Sequence, residues 1–314
     1  MEQIVECVPN FSEGRRPEII EQINAAIASV HGVAVLDIES DPHHNRSVIT
    51  FVGEPAAVEE AAFRSVAKAS ELIDMTCHQG AHPRMGAADV VPFIPIRGVT
   101  MADCVEIARR LGRRVGDKLR IPVYLYEEAA TRPERRNLAD IRRGEYEVIR
   151  EEIGRLESRA PDFGPKQMGT AGAVAIGARY ALIAFNVYLN TDKLEVAKQI
   201  ARAIRHSSGG LRHVKAIGLM ANGRAQVSMN ITNYQHTPLL RVLEMIWSEA
   251  GRWGTAVAES EIVGLVPGDA LFQAGIDALQ LHTFKLSQVL ENRIAGLQTT
   301  TALDKRPQAG YNAP

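Results

Sequence analysis

Ile19, Ile20, Ile23 and Ile27 recur at the three- and four-residue spacing of a helix face, just after a strand-like run at residues 4–8. Two further strand-length runs, 33–41 and 46–52, flank the turn-rich Pro42-His43-His44-Asn45. An amphipathic helix over 54–75 and a Val-, Ile- and Phe-rich strand over 89–96 follow. The order is βαββαβ, that of the split βαβ or ferredoxin-like unit. The second half predicts it again. A strand over 181–189 leads to a helix over 191–205 with Thr191 as its cap. Runs 214–220 and 225–231 flank Asn222-Gly223, a pair suited to a type I′ hairpin turn. A helix over 237–253 and a strand over 256–266 complete the unit. Between the halves, 101–119 and 135–156 read as helices around a short strand at 123–126.

We therefore expect an α/β (α+β) fold of two ferredoxin-like βαββαβ subdomains, residues 1–178 and 179–300, with a ligand cleft between them. Residues 301–314 lose hydrophobic periodicity and gain Pro and Gly, and read as a flexible, solvated tail. A length of 314 residues suits two lobes at roughly 100–200 residues per domain. The halves share a pattern and no convincing residue-level identity.

Composition narrows the function. With 36 basic and 37 acidic residues the chain has no global field to draw it to nucleic acid or to an anionic membrane. An aromatic content of 5% also weakens any base-stacking role. No apolar run approaches the roughly 20 residues that cross a bilayer, and the acidic start lacks the basic region of a signal peptide. Three widely spaced cysteines, Cys7, Cys77 and Cys104, argue for a reducing compartment, and cytoplasmic residence is expected.

Candidate chemistry concentrates in two loops. Cys77-His78-Gln79-Gly80-Ala81-His82-Pro83-Arg84-Met85-Gly86 places two imidazoles and a guanidinium between a helix and a strand. Its Gly and Pro residues oppose a continuous helix, so His78 and His82 do not copy the helical two-histidine metal motif. A site recruiting His43, His44 or Asp41 stays open, as does an ordinary surface loop. The second loop, Asp41 to Ser47, carries Asp41 and Arg46 at strand ends; Asp37 and Glu39 read as a wet sheet face. In the second half Gln226, Ser228 and Asn230 alternate along one strand, and Asn186 interrupts an apolar one. That face is either merely exposed or a hydrogen-bonding wall for a ligand. Residues 161–172, rich in Pro and Gly, read as a linker or as an ordered loop approaching a flat ligand. They match neither phosphate-binding glycine pattern.

Together CVPNFSEGR, DPHHNRSVITFVG, HQGAHPRMGAADVVPFIP, GEYE, PDFGP and GARYALIAFNVYLNT, in this order over nearly the whole chain, resemble the formiminotransferase family. The resemblance implies transfer of the formimino group from N-formimino-L-glutamate to N5 of tetrahydrofolate in histidine degradation. It also implies a homodimer, no metal, and tetrahydrofolate, polyglutamylated or not, as co-substrate. The family's catalytic histidine corresponds to His82. Its folate-contacting loop corresponds to Phe163, Gly164, Pro165, Lys166, Gln167, Met168, Gly169, Thr170, Ala171 and Gly172. Asp41 is expected either to orient His82 or to hold a protonated amidine. Two substrate carboxylates call for Arg46, Arg84 and Arg179, Lys166 suits the folate tail, and Asn10, Asn186, Gln226 and Ser228 complete the substrate-binding set. No segment here corresponds to a cyclodeaminase, so ammonia release is expected from a separate protein. Three alternatives stand beside this: formyl transfer through 5-formyltetrahydrofolate, a non-catalytic folate-binding module, and metal-assisted hydrolysis.

Overall fold

The computed structural model describes residues 3–281 and 283–294, and the expected tail at 301–314 lies outside them. The chain divides into two compact units, one ending at Ala181 and one starting at Leu182.

The first unit contains β1 (Ile4–Cys7), β2 (Asn10–Phe11), α1 (Pro17–Ala28), β3 (Val33–Asp41), β4 (Arg46–Gly53), α2 (Pro55–Leu72) and β5 (Ala88–Arg97). Then come α3 (Met101–Lys118), β6 (Val123–Glu127), α4 (Leu138–Ile141), α5 (Glu145–Glu152) and β7 (Val174–Ala178). Strands β1 and β2 share one position between β4 and β5, so the sheet runs β3, β4, β1/β2, β5, β7, β6. Its first four positions pair antiparallel, which is the ferredoxin-like arrangement. β7 and β6 extend it in parallel beyond β5. Local chemistry sets the helix starts. Proline opens α1 and α2, where its missing N–H costs nothing. Thr100 and Asp103 form a reciprocal capping box on α3. The three helices pack side by side on the sheet, burying Ile23, Ile27, Phe51, Val66, Phe93 and Leu111 in one core.

The second unit repeats the order with β8 (Ile183–Leu189), α6 (Leu194–Ile204), β9 (Val214–Ala221), β10 (Arg224–Ile231), α7 (Leu239–Arg252) and β11 (Val257–Val263), followed by α8 (Gly268–Ala278). Its antiparallel sheet is ordered β11, β8, β10, β9, again ferredoxin-like. Phe185, Val187, Val227 and Met229 face α6 and α7, and Asn222 and Gly223 turn the hairpin with φ of 51° and 74°.

Four expectations are corrected. The helix over 135–156 breaks into α4 and α5 because Gly144 is left-handed at φ 84° and Glu145 at 57°. Thr191 does not cap its helix. α6 begins at Leu194, and the Thr191 hydroxyl accepts only the Lys193 N–H at 3.3 Å. The stretch 161–172 is no loose linker, since Asp162 pairs with Arg135 at 2.5 Å and accepts the Leu125 N–H at 2.8 Å. On β3 it is Leu36 and Ile38 that are exposed, while Asp37 and Glu39 are half-buried.

Candidate functional site

One residue, Asn45, holds the two predicted loops together. It sits buried in the left-handed region, which asparagine tolerates better than most residues. Its side chain accepts the Gly14 N–H at 3.0 Å and donates to the Gln79 carbonyl at 2.8 Å. Its own carbonyl accepts from His78 Nε2 at 3.2 Å. Loop 78–86 thus lies along the tip of the β3–β4 hairpin, with Ala81 and His82 donating to the carbonyls of His43 and His44 at 3.4 Å. The approach is close enough that a Cβ at Gly80 would lie 2.4 Å from the His44 oxygen.

His82 is half-buried, and its Nε2 faces Arg46 Nη1 at 3.1 Å. An arginine only donates, so Nε2 is the unprotonated nitrogen and the ring is neutral. Burial, then the charges of Arg46 and Arg142, then His44 and His78, push its pKa down to about 3. The free chain therefore presents His82 as a neutral base.

Asp41 does not reach His82 by hydrogen bond. One carboxylate oxygen accepts the N–H groups of His43 and His44 at 2.8 and 3.0 Å, and the other pairs with His44 Nδ1. Burial works against its charge, but these bonds outweigh burial and hold the pKa down to about 2. Asp41 thus shapes the hairpin tip and orients His44. Glu39, half-buried on the same strand, is shifted upward by burial and by Asp37, and Arg46 opposes that shift.

Arg84 also departs from its expected role as a carboxylate ligand for substrate. Its Nη1 donates to Glu145 and Glu147 at 2.8 and 2.9 Å, and its Nη2 to Glu147 and the His78 carbonyl at 2.7 and 3.3 Å. Its Nε donates to His78 Nδ1 at 3.4 Å. All five donors are taken, so Arg84 staples the loop to α5 and locks His78. His78 donates from Nε2 and accepts at Nδ1 in the same network, which leaves no free lone pair for a metal. Among the described residues no group of three or more His, Cys, Asp or Glu is placed to hold a metal ion.

Loop 163–172 is anchored at both ends. Phe163 packs on α3 at Gly112 and Gly116, and Met168 is buried. The carbonyls of Thr170 and Ala171 accept from Met75 and Ala87 at 2.8 and 2.9 Å, and Ala173 N–H donates to Met85 at 2.9 Å, so its far end lies beside the segment that follows His82. Pro165 is half-buried, whereas Gly164, Lys166, Gln167, Gly169 and Thr170 are exposed, with open space where a side chain at Gly169 would project. Lys166 makes a loose pair with Glu157 at 3.2 Å. Asn10 bonds the Val8 carbonyl at 3.1 Å, and Arg179 bonds the Tyr180 carbonyl at 2.9 Å.

The second unit carries its own polar cluster on the sheet face opposite α6 and α7. Asn186, Tyr188 and Gln226 converge on one oxygen of Glu261 at 3.0, 3.1 and 3.3 Å, and Ser228 pairs across from Asn186. Sequence reasoning missed Glu261. Its signal was the Glu259-Ser260-Glu261 run in an otherwise apolar edge strand.

Residues 4–179 match the formiminotransferase domain, N-terminal subdomain, and residues 184–295 match the formiminotransferase domain. The chain is 51% identical over 295 residues to the glutamate formimidoyltransferase of Thermoplasma acidophilum, covering 93% of this chain and 97% of that one. It is 48% identical over 300 residues to the glutamate formimidoyltransferase of Streptococcus pyogenes serotype M1, covering 94% and 100%. Against the formimidoyltransferase-cyclodeaminase of Mus musculus it is 46% identical over 283 residues, which span 87% of this chain and 52% of the longer relative. The chain belongs to the formiminotransferase family.

Proposed function

We propose that the chain is a glutamate formimidoyltransferase that moves the formimino group of N-formimino-L-glutamate to N5 of tetrahydrofolate, releasing L-glutamate and 5-formiminotetrahydrofolate. The observation that carries its mechanism is a neutral, half-buried imidazole at His82, its Nε2 facing Arg46 in the loop pair built around Asn45. The N5 lone pair forms a bond to the amidine carbon, giving a tetrahedral intermediate. The bond from that carbon to the glutamate nitrogen then breaks. One proton leaves N5 and one reaches the departing nitrogen, so a single imidazole that accepts the first and delivers the second balances the reaction. His82 is that shuttle. Arg46 receives a substrate carboxylate. The exposed part of loop 163–172, with Lys166, takes tetrahydrofolate. The same reading includes a homodimer in the cytosol, in keeping with free cysteines at Cys7, Cys77 and Cys104. Among the described residues no helix is long and apolar enough to cross a membrane.

Formimino and formyl donors differ in one atom. An amidine nitrogen donates hydrogen bonds, whereas a formyl oxygen only accepts them. Glu39 and Asp41 act electrostatically on Arg46, and Glu39 is the carboxylate there that could accept from an amidine nitrogen. We expect formiminoglutamate to outcompete formylglutamate at equal concentration when scored by kcat/KM. Preference for formylglutamate would overturn the donor and leave a folate enzyme. Chelation is expected to leave turnover unchanged, because cations surround His82 and both His78 nitrogens are engaged. Reversible loss on chelation, restored by one metal, would instead favour the hydrolase.

A further inference from the structure

Arg142 follows the short helix α4, in a segment that sequence reasoning did not connect with the reaction. Its Nη2 donates to Oδ2 of Asp89, a buried carboxylate whose other oxygen accepts the Met85 N–H at 2.8 Å. Its Nε is buried with no hydrogen-bond partner among the described residues, and the same holds for Nε of Arg46. Buried N–H groups without acceptors are uncommon because each forfeits its bond to water. Two of them, on arginines that both act electrostatically on one imidazole, are donors awaiting an acceptor. Arg46 meanwhile occupies the lone pair of His82 Nε2, the nitrogen that must be open for a base to work.

We propose that a carboxylate of the glutamyl substrate binds the Nε groups of Arg46 and Arg142, drawing Arg46 away from Nε2 of His82 and so opening the base only when substrate is present. Arg142 is the fixed half of this clamp because Asp89 anchors it. Arg46 is the half that moves. The groups facing His82 are Arg46, Arg142, His44 and His78, while Glu39, Asp41 and Asp89 act on Arg46. Cations disfavour imidazolium, so an incoming carboxylate also stabilises the imidazolium formed when His82 takes the N5 proton. Arg142 is thus a substrate-binding residue for the reaction. The inference rests on the glutamyl substrate proposed above.

L-Glutamate is the probe, since it carries both carboxylates and no one-carbon group. Ring signals of His82 in the full chain, identified by their loss in His82→Gln, are followed through a pH titration with and without saturating L-glutamate. The His82 midpoint is expected to move up by about one pH unit or more when glutamate is bound. Arg142→Gln is expected to weaken glutamate binding about tenfold, the loss of one charge-assisted contact, and to reduce the shift. Arg142→Lys keeps a cation for Asp89 and so guards against a folding defect. It lacks the Nε donor, and a full wild-type shift in that variant would overturn the role of Arg142. Glutamate bound with the His82 midpoint unmoved overturns the clamp and leaves the transferase reading standing. No binding of glutamate at all overturns both.

Discussion

Replacing His82 by alanine is expected to lower kcat by about 100-fold or more while tetrahydrofolate still binds. The reason lies in when the ring acts. Its unprotonated Nε2 is directed at Arg46 in the free chain, so it contributes chiefly to proton movement in the transition state. Folate contacts are expected from loop 163–172, which is anchored on Phe163 and Met168 independently of His82. Turnover followed by glutamate release, beside calorimetric binding of tetrahydrofolate, separates the two quantities. Unchanged turnover would remove His82 from the mechanism. Equal loss of turnover and of folate binding would make it a structural residue of the loop.

Asp89→Ala is expected to destabilise the first unit by about 3 kcal/mol, because removing one partner of a buried ion pair leaves the other charge uncompensated. Asp89 sits at the start of β5, is 2% exposed, and joins the Met85 N–H to Arg142. Burial favours its neutral form, while Arg142, Met85 and Arg46 favour the charged one. Its loss would free the Met85 segment, which follows His82, and would leave Arg142 without an anchor. Denaturant unfolding of wild type and variant measures the change. A difference under about 1 kcal/mol, the size of an ordinary surface substitution or less, would show that Asp89 carries little of the fold.

Much of the candidate site was legible in the sequence because chemistry-bearing residues cluster locally there. The hairpin tip at residues 41–46 and the loop at 78–86 each contain their histidines and arginines within ten positions, and the structure sets them side by side. The two βαββαβ patterns were legible for a similar reason, since the helices bury regularly spaced apolar residues such as Ile19, Ile23 and Ile27. What was hidden depends on distant partners. Arg142 looked like one more charge on a continuous helix until the left-handed pair Gly144 and Glu145 broke that helix and Asp89 claimed the guanidinium. Arg84 looked available until Glu145 and Glu147 saturated it. β7 was missed because Val174–Ala178 is short and rich in small residues, and only its parallel pairing with β5 and β6 makes it a strand. Asp41 illustrates the same limit. Its position at a strand end suggested catalysis, yet its bonds are spent on His43 and His44.

Group transfer to a folate separates the activity proposed for this chain from simple hydrolysis of the same donor. Purified protein incubated with N-formimino-L-glutamate, with and without tetrahydrofolate, tests it most directly. Glutamate is expected to be released only when tetrahydrofolate is present, in step with 5-formiminotetrahydrofolate. Release of glutamate at the same rate without folate would contradict it.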